Sequence, residues 1–466
     1  MSLQTFNELH VVSDLHLGGK PGFQIFCQGD TLANFITMCA QPSDRKIGLV
    51  LNGDIVDFLA EAPAAYLDPK GAIDKLERIF YADEAFSGVW SALQEFVAQP
   101  NRQLVLVLGN HDVELALPHV TEWILEKLSR KESAARGRVT TCFNGAGFPC
   151  SVGNKRVFCI HGNDVDIWNM VNHRQLLDIS LAVNTGEEPP KWEPNAGTRM
   201  VIEVMNAIKR DYPIVDLLKP EAEAVVPILL TLDPGRLKEI SKILTVAAYL
   251  SRDVVRHSLG LEHVTTESPT SEEEVMAAFL NKYFEYEMTG PADTDLPNSG
   301  VYEAMEEGVD PEFESKGKAL KKNLEGDQSF VLGQKDDMFK KMKKEIGSKV
   351  NFLVTGHSHK ERAIERKAPG CYYFNSGTWI RLIRLTEDVL GNSEEFARVY
   401  EAFESGSMEK LDAINNLGPS RDQPLVMLKP TVVSIVEKDG KTYGELRHAK
   451  PDGSLQPIES TRLPAS

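Results

Sequence analysis

Up to His161 the chain alternates short aliphatic runs with longer stretches whose apolar residues recur at helical spacing. Leu9-His10-Val11-Val12, Gly48-Leu49-Val50-Leu51, residues 104–108 and residues 157–160 read as strands. Short β-branched and aliphatic runs of this kind suit strands buried on both faces, as in a parallel sheet. Between them Phe86, Val89, Trp90, Leu93, Phe96 and Val97 fall on one helical face, and Pro100 lies just beyond to stop the helix. Strands alternating with helices define an α/β layout.

After His161 the pattern changes. Val201, Val204, Met205 and Ile208 share one helical face, as do Ile240, Ile243, Leu244, Ala247 and Ala248. Pro213, Pro220, Pro227 and Pro234 divide this region into short pieces. From about 260 to 346 the chain is acidic and then lysine-rich, with loops expected at Thr289-Gly290-Pro291 and at 296–300. Strand character returns at 350–355 and 372–374. Near the end, 431–436 and 441–447 flank Asp439-Gly440, a two-residue hairpin signal. The two ends of the chain therefore read as one discontinuous core, 1–162 and 347–466, interrupted by a mainly helical insertion at 163–346. No internal repeat is visible.

A chain of 466 residues is long for a single core, which suits a large domain carrying an insertion. Its formal net charge of -17 argues against a general nucleic-acid binder, whose footprint is basic. The opening residues reach the first strand without the charged and apolar regions of a signal peptide. The most apolar stretches, such as 224–232, fall far short of the ~20 residues that cross a bilayer. Six cysteines without C-x-x-C spacing read as reduced thiols, so a cytoplasmic protein is expected.

Five polar segments each follow one of the apolar runs: Asp14-Leu15-His16, Gly53-Asp54-Ile55-Val56-Asp57, Gly109-Asn110-His111-Asp112, His161-Gly162-Asn163 and Gly356-His357-Ser358-His359. Each alone has an ordinary explanation. Asp14-Leu15-His16 would pass for a loop, Gly53-Asp54 and Gly109-Asn110 are common turn dipeptides, and a lone pair of nearby histidines can simply lie at the surface. Together they place five of the 11 histidines at strand ends, where open α/β sheets bind ligands. Asp14 and Asp54 supply carboxylates, His16, His161, His357 and His359 imidazoles, and Asn110 an amide oxygen. A donor set without thiolate points to an open catalytic site for Mn, Fe or Zn rather than to structural zinc. His173 is a weaker competitor, because it does not follow a strand end.

In order and spacing these segments resemble the signature of the calcineurin-like metallophosphoesterase superfamily: DxH, GDxxD, GNH(D/E), H and GHxH. The segment Phe374-Asn375-Ser376-Gly377-Thr378-Trp379 after the last motif also looks familial. The resemblance implies an α/β fold of four layers, an αββα sandwich with a dimetal centre at one edge. It further implies that Asp14, His16 and His359 bind one metal, that Asp54 bridges, and that Asn110, His161 and His357 bind the second. His111 would lie beside the leaving-group oxygen as a catalytic residue, with Asp57 orienting it. The cofactors implied are two divalent ions, manganese first and iron or zinc as alternatives. The activity implied is hydrolysis of a phosphate ester by in-line attack of a metal-bridging hydroxide.

The wording Val12-Ser13-Asp14-Leu15-His16-Leu17 is similar to the UDP-diacylglucosamine hydrolase branch, which cleaves the pyrophosphate of a lipid-linked nucleotide. The long stretch between His161 and His357, and the residues beyond Trp379, depart from that branch. Protein phosphatases usually carry Arg-Gly after GDxxD and Arg before GNH, where this chain has Phe58-Leu59 and Leu108. The expected partner is thus a phosphorylated small molecule or lipid-linked substrate and not nucleic acid. The insertion could serve as a lid or as a surface for a protein partner, and a non-catalytic scaffold is the alternative to an enzyme. Monoester, diester and pyrophosphate substrates are left open.

Overall fold

The computed structural model describes residues 3–219 and 327–464, apart from 83, 167 and 421, together with a few residues between 224 and 324. The expected helical face from Ile240 to Ala248, the breaks at Pro220, Pro227 and Pro234, part of the apolar stretch 224–232 and the loops near 289–300 lie outside the described residues.

In chain order the first ten strands are β1 (Gln4–Phe6), β2 (Glu8–Val12), β3 (Ile47–Asn52), β4 (Arg102–Val107), β5 (Val139–Cys142), β6 (Phe148–Val152), β7 (Lys155–Cys159), β8 (Phe352–Thr355), β9 (Glu361–Glu365) and β10 (Tyr372–Ser376). One sheet has the order β1-β6-β7-β8-β10-β9. In the other, β2, β3, β4 and β5 run parallel side by side, and β2 is joined on its other edge by the antiparallel strand Thr431–Lys438. That strand forms a hairpin with Lys441–Ala449 around Asp439-Gly440, whose φ angles of 53° and 72° are both left-handed. Two left-handed central residues are what a type I′ turn requires, so the hairpin expected at this dipeptide is present.

The two sheets face each other. Leu9 and Val11 of β2, Val50 of β3 and Val105 and Val107 of β4 pack with Val157 of β7, Phe352 and Val354 of β8 and Phe374 of β10. The alternate residues Val12, Leu49, Leu51, Leu104 and Leu106 point the other way, onto the helices Gly29–Ala40 and Glu84–Ala98. Phe86, Val89, Trp90, Leu93, Phe96 and Val97 form the buried face of the second helix, as their spacing predicts. On the outer side of the first sheet, the helix Asp337–Glu345 sets Phe339 and Met342 against Leu353, Ile364 and Tyr373. The result is the expected α/β sandwich of helix, sheet, sheet and helix.

By their contacts the residues form two compact units, Met1–Arg199 with Gln328–Arg381 and Leu428–Ser466, and Met200–Asp327 with Leu382–Met427. These bounds differ from the borders expected after 162 and before 347. Residues 163–199 stay with the first unit because Val171, Leu176, Ile179 and Trp192 join its helix-side core. Residues 328–346 stay with it through Phe339 and Met342. Within the second unit, residues 201–209 are helical, with Val204 and Ile208 buried. There the helix Ser393–Glu404 buries Phe396, Val399, Tyr400 and Phe403, and Asn392 caps it by accepting from the backbone N–H of Glu394 and Glu395. Among the described residues no helix is long and apolar enough to cross a membrane.

Phe374 is fully buried, its ring lies 6.4 Å from that of Phe352, and the Cβ that Gly444 lacks would come within 2.7 Å of it. Phe374→Ala should destabilise the protein by about 3–5 kcal/mol in denaturant unfolding; a loss below about 1 kcal/mol would contradict this packing. At the start of β2, Glu8 lies 3.1 Å from His10 and 3.4 Å from Arg45. Burial alone would raise its carboxyl, but these partners hold it down from 4.5 to about 2. A depressed carboxylate contributes stability that is present above its unfolded value and is lost as pH falls towards the folded one. Glu8→Gln should therefore be less stable than wild type at pH 7, with the difference shrinking between pH 4.5 and 2; a constant difference across that window would refute the pairing.

Candidate metal centre

Every motif residue expected at the site leaves the carboxyl end of a strand in the first unit. Asp14 and His16 follow β2, Asp54 and Asp57 follow β3, Asn110 and His111 follow β4, His161 follows β7, and His357 and His359 follow β8. β2, β3 and β4 belong to one sheet and β7 and β8 to the other, so the site spans the end of the sandwich.

The side chains converge as two sets. In Asp14, His16 and His359 the candidate ligand atoms lie within 4.8 Å of one another, and the same holds for Asp54, His161 and His357. Asp14 Oδ1 is 3.3 Å from His359 Nε2, which is also 3.3 Å from His16 Nε2. Asp54 Oδ2 approaches one imidazole of each set, His16 Nε2 at 3.8 Å and His161 Nε2 at 3.2 Å. A third set, His16, Asp57 and His111, meets the same distance limit. In it Asp57 stands between two imidazoles, with His111 Nδ1 at 3.2 Å and His16 Nδ1 at 3.4 Å.

Both central carboxylates are fully buried. Burial by itself pushes each carboxyl up, yet the surrounding histidines more than offset it: Asp14 is held below its usual range by His359 and His161, and Asp54 well below by His161 and His111. In return, burial disfavours a charged His161, but Asp54 outweighs it and raises the imidazole to about 10. Backbone groups add to this, as the N–H of His357 donates to Asp14 at 3.0 Å and that of His111 to Asp54 at 2.9 Å.

The donors fit divalent metal ions. Among the described residues Asn110 Oδ1 is buried yet has no hydrogen-bond partner, an expensive arrangement unless it faces a cation. His161 Nδ1 is already committed to the carbonyl of Asn52 at 2.8 Å, which leaves Nε2 as its ligand atom. Carboxylate, imidazole and amide donors without thiolate suit hard or borderline ions.

The loops are forced into shape. Asp14, His16, Asp54, His357 and His359 all have left-handed backbones, with φ between 48° and 66°. Gly53 has φ +89°, and a Cβ there would meet the His161 ring at 2.4 Å; one at Gly356 would lie 2.6 Å from Asp14 Oδ2. Hydrogen bonds brace these turns. Asp112 accepts from the N–H of Gly109 and of Ile55, both at 2.7 Å, tying the loops after β4 and β3 together. Burial, followed by the charge of Asp54, pushes its own carboxyl up to about 7. Asn375 donates to the Gly356 carbonyl at 2.7 Å and Thr378 to that of Asp14 at 2.9 Å, which gives the segment after the last motif its role.

His173 is in none of the metal-capable sets and pairs instead with Asp164 at 3.1 Å. Sequence reasoning missed Asp166, whose Oδ2 lies 2.9 Å from His357 Nε2. Its only signal is its place five residues after His161, which says nothing of His357.

Residues 9–208 match the family model for calcineurin-like phosphoesterase. The match ends well before His357 and His359, which only the fold brings to the other motifs. No curated protein matches the chain.

Gly53→Ala should strain its turn and push His161 aside, so that metal bound per protein falls with little change in the far core. Elemental analysis after dialysis against Mn²⁺ measures this, and an unchanged metal content would contradict the close approach.

Proposed function

Because the chain belongs to the calcineurin-like phosphoesterase superfamily, we propose that it is a dinuclear-metal-dependent phosphoesterase. The observation that carries this reading is the position of Asp54: one carboxylate oxygen beside an imidazole from each of two Asp/His sets. Asp14, His16 and His359 would hold one ion, Asn110, His161 and His357 the other, with Asp54 shared. When bound, two divalent ions supply positive charge for the phosphate oxygens and acidify the attacking water. Manganese leads iron and zinc as the native metal.

The remaining chemistry falls to His111 and Asp57. His111 is partly exposed, whereas Asp57 is buried and accepts from the N–H of Leu59 and Ala60 at 3.0 and 3.1 Å. Burial alone would raise the Asp57 carboxyl, but the His111 charge and hydrogen bond hold it well below the usual range. An ionised Asp57 fixes the proton of His111 on Nδ1 and leaves Nε2 to the substrate, where protonating the leaving oxygen is worth ~10²–10⁴-fold.

A second reading concerns the substrate. Met170, Leu177 and Leu181 are 50%, 60% and 61% exposed, and the two leucines lie one turn apart on the helix His173–Thr185. These exposed apolar side chains, on the segment that follows His161, are the support for a lipid-linked pyrophosphate as the substrate.

Metal-stripped and Mn²⁺-loaded protein should be compared on aryl monoesters, aryl diesters and nucleotide pyrophosphates. Metal-dependent hydrolysis of at least one class is expected, and cleavage confined to pyrophosphates would select the second reading. Loaded protein inert towards all three would overturn the enzyme and favour a scaffold. His111→Ala should lower turnover ~10²–10⁴-fold while retaining metal, whereas Asp54→Asn should lose metal and activity together. Full activity in the first variant, or two retained ions in the second, would remove the assigned role.

A further inference from the structure

The turn after His161 reaches back to the last motif. Residues Asn163–Val165 form a short 3-10 turn, and the Asp166 that ends it places Oδ2 2.9 Å from His357 Nε2. This carboxylate is itself fixed: Oδ1 accepts from the Trp168 N–H at 3.1 Å and Oδ2 from the Asn169 amide at 2.8 Å. The turn is anchored further by Asn163, which donates to the Asn169 carbonyl at 3.1 Å, and by Asp164, which holds His173. Asp166 belongs to none of the three metal-capable sets, so it stands behind His357 rather than beside Asp54 and His161.

From this geometry we infer that Asp166 is a positioning residue for His357, holding its Nε2–H so that Nδ1 is the nitrogen offered to the metal. His161 is treated in the same manner from the opposite ring nitrogen, its Nδ1–H held by the Asn52 carbonyl. Both imidazoles of one set thus have their tautomer fixed by an oxygen behind them, which is how partners of metal-bound histidine act. The consequence is a link across 191 residues of chain: the same turn that follows the ligand His161 orients the ligand His357. The two rings lie 5.4 Å apart at 68° to each other, one held by the Asn52 carbonyl and the other by Asp166. This role rests on the two-metal reading of the site.

The test is titration of Mn²⁺ alone into metal-stripped full-length protein by calorimetry. Wild type should take up two ions. Asp166→Asn retains an oxygen for the Trp168 N–H but loses the charge, and it should weaken one site about 10–100-fold while the other stays within about twofold. Asp166→Ala should do the same or more. If that variant fails to fold, the asparagine variant, whose melting temperature should match wild type, carries the result. The decisive comparison places Asp166→Asn on a His357→Ala background, where a residue acting only through His357 causes no further loss. Additive losses would show a direct ligand or a general structural role and overturn the inference. Two intact sites in both Asp166 variants would overturn it as well, leaving the two-metal reading standing. A wild type that takes up no Mn²⁺ would overturn both.

Discussion

Asp14 and Asp54 are buried together, and the structure around them is organised by the need to balance their charge. Removing a carboxylate from water costs several kcal/mol even after relaxation, and two near each other also repel. Here the balance comes from imidazoles on four different loops and from the backbone N–H groups of His111 and His357. None of these groups is a sequence neighbour of the carboxylate it serves. The balance therefore holds only while the strand ends of both sheets remain in register, which ties the site to the packing of Phe352, Phe374 and Val50 below it.

The same demand explains the unusual backbone. Five of the seven proposed ligands sit in left-handed conformations, which for residues other than glycine cost about 1–2 kcal/mol each. A strand that ended in an ordinary turn would carry these side chains past the centre. The left-handed step swings them inward, and Asp112, Asn375 and Thr378 hold the loops there. Strain held in this way keeps the donor side chains aimed at one another.

How legible these features are in the sequence varies with their physics. β2, β3 and β4 are buried on both faces, so they appear as largely aliphatic runs. β1, β5 and β9 are short and partly exposed, with burial patterns that mix faces, and they leave no such trace. The hairpin at Asp439-Gly440 is legible because the turn itself dictates the dipeptide. The borders of the two units are not, because residues 163–199 and 328–346 read as helical or irregular chain whichever unit they pack against. Asp166 is hidden for a similar reason: a lone aspartate in a loop has no spacing relation to a histidine far along the chain.

The chain by itself determined the chemistry, because motif residues at strand ends need only local order and residue type to declare a metal-binding donor set. Which donors pair was decided by the tertiary structure. Asp54 touches an imidazole of each set, Asp57 lies between His16 and His111, and Asp166 stands behind His357, all by virtue of how two sheets meet. Charge balance in a buried site depends on distances between groups remote in sequence, and only the packed fold sets those distances.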